Sequence, residues 1–240
     1  MIIVLLTYIL AALSLFLLPN SMHHNITQHS ARQSSFIEHF TDGVRYLRRH
    51  SILHQLLSMM FIGQLVFHTS IAFLSIYTAE YLNETAKIYG FLEATISIGG
   101  IIAGILGTWR WRISKERLAI FAFLIVFMSL FVMSITPFLA GAFLGILLLG
   151  IGTTWIRVLL QSVQQMATHS AYHGRMASFR MVCNQGSVVI SAPVIGWIAT
   201  EYGVHLAYAA LLIPVSIGLL ISLYVRRQAQ FQELTRTISC

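Results

Sequence analysis

Apolar runs close to twenty residues long recur along the chain, and short clusters of charged residues separate them. A helix rising ~1.5 Å per residue needs roughly 20 residues to cross a ~30 Å hydrocarbon layer, so each run has the length of a membrane span. The ~10-residue alternation of a spanning β-strand is missing from the sequence, which leaves helices to satisfy the backbone in lipid. The pattern predicts an all-α membrane protein with about seven transmembrane helices. We place span 1 at Ile2 to Leu18, span 2 at Ser51 to Ala79, span 3 at Ile88 to Thr108 and span 4 at Leu118 to Thr136. Span 5 runs from Phe138 to Met166, span 6 from Ser178 to Thr200 and span 7 from His205 to Val225. Pro137 separates spans 4 and 5, since proline lacks the N–H that continues a helix ladder. The chain thus divides into one helix over 1–19, a linker over 20–50, a six-helix bundle over 51–226 and a tail over 227–240.

Composition removes a soluble alternative. With 57% hydrophobic residues, 10% charged residues and a mean hydropathy of +0.76, the chain carries more apolar surface than one aqueous core can hide. The net charge of +7 would suit nucleic acid, but its placement follows membrane topology instead. Of 15 Lys and Arg residues, Arg32, Arg45, Arg48 and Arg49 precede span 2, and Arg110, Arg112, Lys115 and Arg117 join spans 3 and 4. Arg175 and Arg180 flank the start of span 6, and Arg226, Arg227 and Arg236 follow span 7. All of these fall on one side; Lys87 falls on the other, and Arg157 is left inside span 5. Basic loops are retained in the cytoplasm, which predicts a cytoplasmic C-terminus, an N-terminus outside and a plasma or inner membrane location. Span 1 is not expected to be a cleaved signal peptide, because it lacks a basic n-region and cleavage would translocate Arg32 to Arg49. A chain that opens on an outward-facing Met1 without a leader reads as the continuation of something longer. Cys183, inside a span, and Cys240, at the end, supply neither a disulfide framework nor a CxxC pair.

Within the linker, Phe36 to Leu47 has apolar residues near helical spacing beside arginines, the pattern of an interfacial amphipathic helix; a plain loop is the other reading. In the spans themselves, polar residues are unevenly shared. Gln64 and His68 lie in span 2, Glu93 in span 3, Arg157 and Gln161 in span 5, and Asn184 and Gln185 in span 6; spans 1, 4 and 7 have none of these types in their cores. After span 1 the order polar, polar, apolar occurs twice, and since three is odd the second triplet runs in the opposite sense. That is the outline of inverted 3+3 repeats in which two helices of each triplet face a central cavity. An ionisable group at a helix centre costs roughly 2.5–3.5 kcal/mol on insertion scales, so it persists mainly where it meets water, a partner or a substrate. Gly100 and Gly104 in span 3 have small-xxx-small spacing, span 5 is also glycine-rich, and Pro193 and Pro214 are expected kinks.

Four stretches resemble a known family. EHFTDGVRYLRRHSIL, from Glu38, is similar to the segment before the seventh helix of drug, macrolide and siderophore exporters in the major facilitator superfamily. YGFLEATISIGGIIAGILG, Tyr89 to Gly107, resembles their eighth helix, HGRMASFR, His173 to Arg180, the loop entering the eleventh, and APVIGWIATEYG, Ala192 to Gly203, the end of that helix. The resemblance covers nearly the whole chain from span 2 onward and makes span 1 the family's sixth helix and spans 2 to 7 its seventh to twelfth. It implies proton-driven export of a small organic molecule such as a drug, macrolide or siderophore. GTWRWRISKERL, Gly107 to Leu118, stands at the family's second conserved loop but lacks the acidic residue of the full motif. The family's N-terminal half is missing, so the resemblance implies a truncated or split transporter. Its partner would be a separately encoded N-terminal half or, failing that, a second copy of the chain.

Gln64 and His68 lie one turn apart near the middle of span 2, the depth at which transporters bind substrate; an interhelical hydrogen bond is the plainer role. Arg157, with Gln161 one turn on, suits substrate or gating contact, but its long stem also permits snorkelling or a structural salt bridge. Asn184 and Gln185 complete the set of pathway candidates. Glu93, toward the outer end of span 3, is the proton-coupling candidate, being the acidic group placed inside a span; an interfacial carboxylate is the alternative. His50 with His54 and His169 with His173 have the i, i+4 spacing of metal ligands, yet a metal-dependent membrane protein would need further histidine boxes on the same side. A seven-helix receptor fits the span count and not the repeat. Without a Ser-His-Asp arrangement, a Walker loop or GxGxxG, no enzyme, metal or cofactor is expected. The expected partners are the lipid bilayer, a small-molecule substrate and protons, with no nucleic acid.

Overall fold

Six helices long and apolar enough to cross a membrane follow one another between Ser51 and Arg226. The computed structural model describes Arg45, Leu47 and residues 51–110, 115–169 and 172–228. Span 1, the rest of the linker and the tail beyond 228 lie outside the described residues. Helix α1, Ser51–Ile76, continues through a π-helical turn at Tyr77–Tyr81; α2 is Ala86–Arg110, α3 Lys115–Ile135, α4 Leu139–Ala167 and α5 His173–Tyr202. The last span is two helices, α6 Val204–Ala210 and α7 Leu212–Arg226. No β-strand occurs among the described residues, so the all-α class holds. Arg45 and Leu47 are helical, with Arg45 exposed and Leu47 buried.

The helix ends follow from local chemistry. Asn83 stops the first span with φ at +54°, a left-handed geometry that asparagine tolerates better than most residues. Pro137 interrupts the ladder between α3 and α4. Gly203, at φ +90°, turns the chain from α5 into α6, and a Cβ there would also meet the His205 ring at 3.1 Å. The two prolines expected to kink their helices behave differently. Pro214 accompanies a full break: the helix stops at Ala210, and Leu211 forms a turn before α7 restarts. Pro193 sits inside an unbroken α5, where the residue whose carbonyl loses its partner, Val189, is exposed.

Packing follows an exchange rule between the triplets α1–α3 and α4–α7. Helices α1 and α4 touch each other at the centre; α2 packs on α4 of the other triplet, α5 packs on α1 of the other triplet, and α3 meets α7. Interchanging the triplets leaves this pattern unchanged, as the repeat read from the polar residues requires. Over an 18-residue apolar stretch of each span, 50% of α1 and 56% of α4 is buried, against 17% for both α2 and α5. The latter two therefore present the largest uncovered faces.

Glycine sets the closest approach. A Cβ on Gly99 would lie 2.5 Å from the Leu147 carbonyl oxygen, and one on Gly150 would strike the Ile96 carbonyl, so α2 and α4 meet backbone to backbone. Trp155 fastens the same seam by donating its indole N–H to the Ala103 carbonyl at 2.8 Å. On another face of α4, Gly145 and Gly152, two turns apart, admit Met133 and Val126 of α3, and the Ser129 hydroxyl donates to the Gly145 carbonyl at 2.6 Å. Of the Gly100 and Gly104 pair noted in the sequence, a Cβ on Gly100 would meet the Thr154 hydroxyl of α4 at 3.4 Å, while nothing lies within 4 Å of one on Gly104. At the far end of α1, Tyr77 and Tyr208 are fully enclosed, donating to the Met133 carbonyl at 3.1 Å and the Ser70 carbonyl at 2.7 Å. Their rings meet edge-on at 5.0 Å, and Tyr81 stacks on His205 beside them. Buried phenols with satisfied hydroxyls thus fix α1 against α3 and α6.

Gly150→Ala is expected to lower the unfolding midpoint in detergent, with an overpacking cost of about 1–3 kcal/mol. Gly104→Ala should change stability by less than about 0.5 kcal/mol, as for substitutions that touch nothing. Equal midpoints for the two variants would contradict the Gly99–Gly150 seam.

Candidate functional site

Where α1 and α4 cross, a narrow cleft is lined by Met60, Gly63, Gln64 and Phe67 on one side and Thr153, Thr154, Ile156 and Arg157 on the other. Gly63 allows the crossing, since a Cβ there would lie 2.7 Å from Ile156 Cγ2. Gln64 is buried at this point, whereas Arg157, exposed, makes no ion pair among the described residues. His68, one turn beyond Gln64, packs its ring edge-on to Phe67 at 5.4 Å and lies within the electrostatic reach of Arg157. Gln161 follows Arg157 by one turn and is half-buried.

Helix α5 reaches the same depth. Thr69 of α1 and Ser191 of α5 share a buried hydroxyl–hydroxyl hydrogen bond of 2.7 Å, which fixes the register of the two helices. Asn184 precedes Ser191 by seven residues, as Ile62 precedes Thr69, so two turns down Asn184 stands level with Ile62, two residues from Gln64. Its Oδ1 is buried without a hydrogen-bond partner among the described residues, while Gln185 beside it is exposed.

Glu93 stands apart. Gly99 is level with Gly150, an offset of 51 residues, so Glu93 is level with Leu144, thirteen residues and about 20 Å along the axis from Arg157 at ~1.5 Å per residue. It is exposed, one turn beyond Tyr89. The structure therefore brings Gln64 and Arg157 to one cleft with His68 one turn beyond, sets Asn184 and Gln185 near the depth of Gln64, and holds Glu93 near the other end. Sequence reasoning missed Thr153, which lies one turn before Arg157 on the same helix face; a hydroxyl at that spacing from an intramembrane charge was the available signal.

The profile of the family described as transmembrane secretion effector matches residues 2–237. The chain belongs to this family of the major facilitator superfamily. It is a multi-pass membrane protein, and its relatives are transporters rather than enzymes. No curated protein matches the chain. Among solved structures, a peptide transporter POT in complex with sulfate superposes with a TM-score of 0.62 at 18% identity, covering 73% of this chain and 38% of the transporter. A point mutant of a POT peptide transporter in complex with alafosfalin gives 0.61 at 17%, with the same coverage. At that identity the match establishes the fold alone, and the chain spans less than two fifths of those transporters.

The α1–α5 register has a direct check. In a Cys183→Ser, Cys240→Ser background, Thr69→Cys with Ser191→Cys should form a disulfide on mild oxidation, because the 2.7 Å oxygen separation puts the two Cβ atoms near the ~3.5–4.5 Å a disulfide needs. Cross-linking of Thr69→Cys to Gln185→Cys in preference to position 191 would move Asn184 out of the Gln64 layer.

Proposed function

We propose that the chain is one half of a proton-coupled exporter of a small organic molecule such as a drug, macrolide or siderophore, and that the α1–α4 cleft is its share of the pathway. The observation that carries this is Arg157, an exposed guanidinium within a span, beside buried Gln64 and free of any ion pair among the described residues. An uncompensated cation in lipid is costly, so its natural place is a water-filled or substrate-bearing face. His68, Gln161, Asn184 and Gln185 supply further polar contacts for a substrate that enters that face. Glu93, on the exposed side of α2 and distant from the cation, acts as the proton-coupling carboxylate, so proton and substrate are handled at different depths.

The faces of α2 and α5, whose apolar stretches are each 17% buried, need a cover. A six-helix N-terminal half supplies one by rocking against this half about a midplane site. A two-fold dimer burying the same faces is the second reading, favoured by the similar exposure of the two helices that repeat symmetry relates. The C-terminus faces the cytoplasm, the N-terminus and the Glu84 loop face outward, and the membrane is the plasma or inner membrane, on the strength of the basic loops.

Reconstituted with its partner half in vesicles under a pH gradient, Arg157→Ala is expected to cut flux at least about tenfold, equivalent to ~1.4 kcal/mol. Ser216→Ala, whose hydroxyl only bonds back to the Leu212 carbonyl, should leave flux near wild type. Equal flux from both variants returns Arg157 to a snorkelling role, and gradient-driven flux from a monomeric chain alone overturns the half-transporter reading. An impermeant thiol reagent on intact cells should label a single cysteine at position 84 and not one at 115; the reverse would invert the topology.

A further inference from the structure

A second cavity, of about 390 Å³, opens where α4 ends and α5 begins. Gln164 and Thr168 line it from α4, and His173, Met176, Ala177 and Arg180 from α5. The α5 residues fall at intervals of three and four, one face of the helix from its first turn onward. Gln164 is 2% exposed, and its Nε2 has no hydrogen-bond partner among the described residues. A buried amide donor left unmade costs free energy unless something outside the chain accepts from it. Thr168 does not accept from it: its hydroxyl donates to the Gln164 backbone carbonyl at 2.6 Å, which closes the end of α4.

The remaining groups are donors of the same sign. Helix α5 runs for 30 residues, and its N-cap, Tyr172, makes no side-chain cap, so the positive end of the helix dipole lies beside His173 and Met176. Arg180 adds a guanidinium two turns along the same face. No acidic residue lines the cavity, and from Arg117 to Thr200 the sequence contains no Asp or Glu at all. Nothing within this stretch can supply the counter-charge.

We infer that this cavity is a phosphate-binding site, in which Arg180, the Gln164 amide and the α5 N-terminus hold the oxygens of a phosphate ester. Guanidinium forks and helix N-termini both bind phosphate, and a buried amide adds directional selection. The volume exceeds that of inorganic phosphate and leaves room for the group it esterifies. Two sources share this chemistry: the headgroup of an anionic lipid, reached from between the helices, and a free phosphate ester from the aqueous side. The site is separate from the α1–α4 cleft, and binding there does not depend on the chain being a transporter.

The test uses the full chain purified into phosphatidylcholine nanodiscs, with unfolding midpoint as readout. A ligand that binds only the folded state raises the midpoint progressively with concentration. In one arm glycerol 3-phosphate is titrated at constant ionic strength against chloride; in the other, phosphatidylglycerol replaces part of the lipid. A rise in the first arm identifies a free ester, and a rise confined to the second identifies a headgroup; either supports the site. Arg180→Gln and Gln164→Met, the latter keeping volume while removing the donor, should each weaken the apparent affinity at least tenfold, while exposed Arg227→Gln should leave it unchanged. No rise in either arm, or the same rise in all four proteins, would overturn the proposal.

Discussion

The α4 backbone has to come within van der Waals contact of two neighbours at once, and the rest of the bundle is arranged around that demand. Gly150 faces α2 and Gly145 with Gly152 face α3, so one helix carries two glycine-lined seams on different sides. In lipid there is no large hydrophobic gain from bringing two apolar helices together, and association rests on close packing and on hydrogen bonds such as Trp155 to Ala103 and Ser129 to Gly145. Once α4 is seated, Gly63 allows α1 to cross it, and the cleft holding Gln64 and Arg157 is a by-product of that crossing.

The span map was legible because its signals complement one another: apolar runs of about twenty residues are bounded on one side by basic clusters and on the other by breakers such as Pro137 and Gly203. Span ends moved by only a few residues at most places, as with Ala86 in place of Ile88 for α2. The exception is α5, which begins at His173 and not at Ser178, because a polar first turn carries no hydropathy signal while its backbone is still helical. Helix contacts were harder to read. Gly100 and Gly104 have the expected spacing, yet Gly99 makes the approach, since spacing defines a stripe without saying which stripe faces the neighbour.

Among the site residues, Gln64, His68 and Arg157 converge because they lie on helices whose crossing brings distant sequence positions to one level. The sequence could rank them as intramembrane polar groups and no more. The layer shared by Asn184 depends on a single hydrogen bond, Thr69 to Ser191, between two residues of types common in any membrane helix. Gln164 escaped notice for the same reason: its lack of a partner is a property of its surroundings, and a glutamine near a span end is unremarked in a linear reading.

The axial distance between Glu93 and Arg157 has an electrical meaning. Their levels, thirteen residues apart on the common α2–α4 register, differ by about 20 Å, close to two thirds of a ~30 Å hydrocarbon layer. A unit charge falling through the whole layer exchanges ~2.3 kcal/mol with each 100 mV of membrane potential, so one passing between these two depths exchanges about 1.5 kcal/mol. Voltage thus acts on the separation itself, and a cell's resting polarisation would weight the two depths unequally for any charge that moved between them.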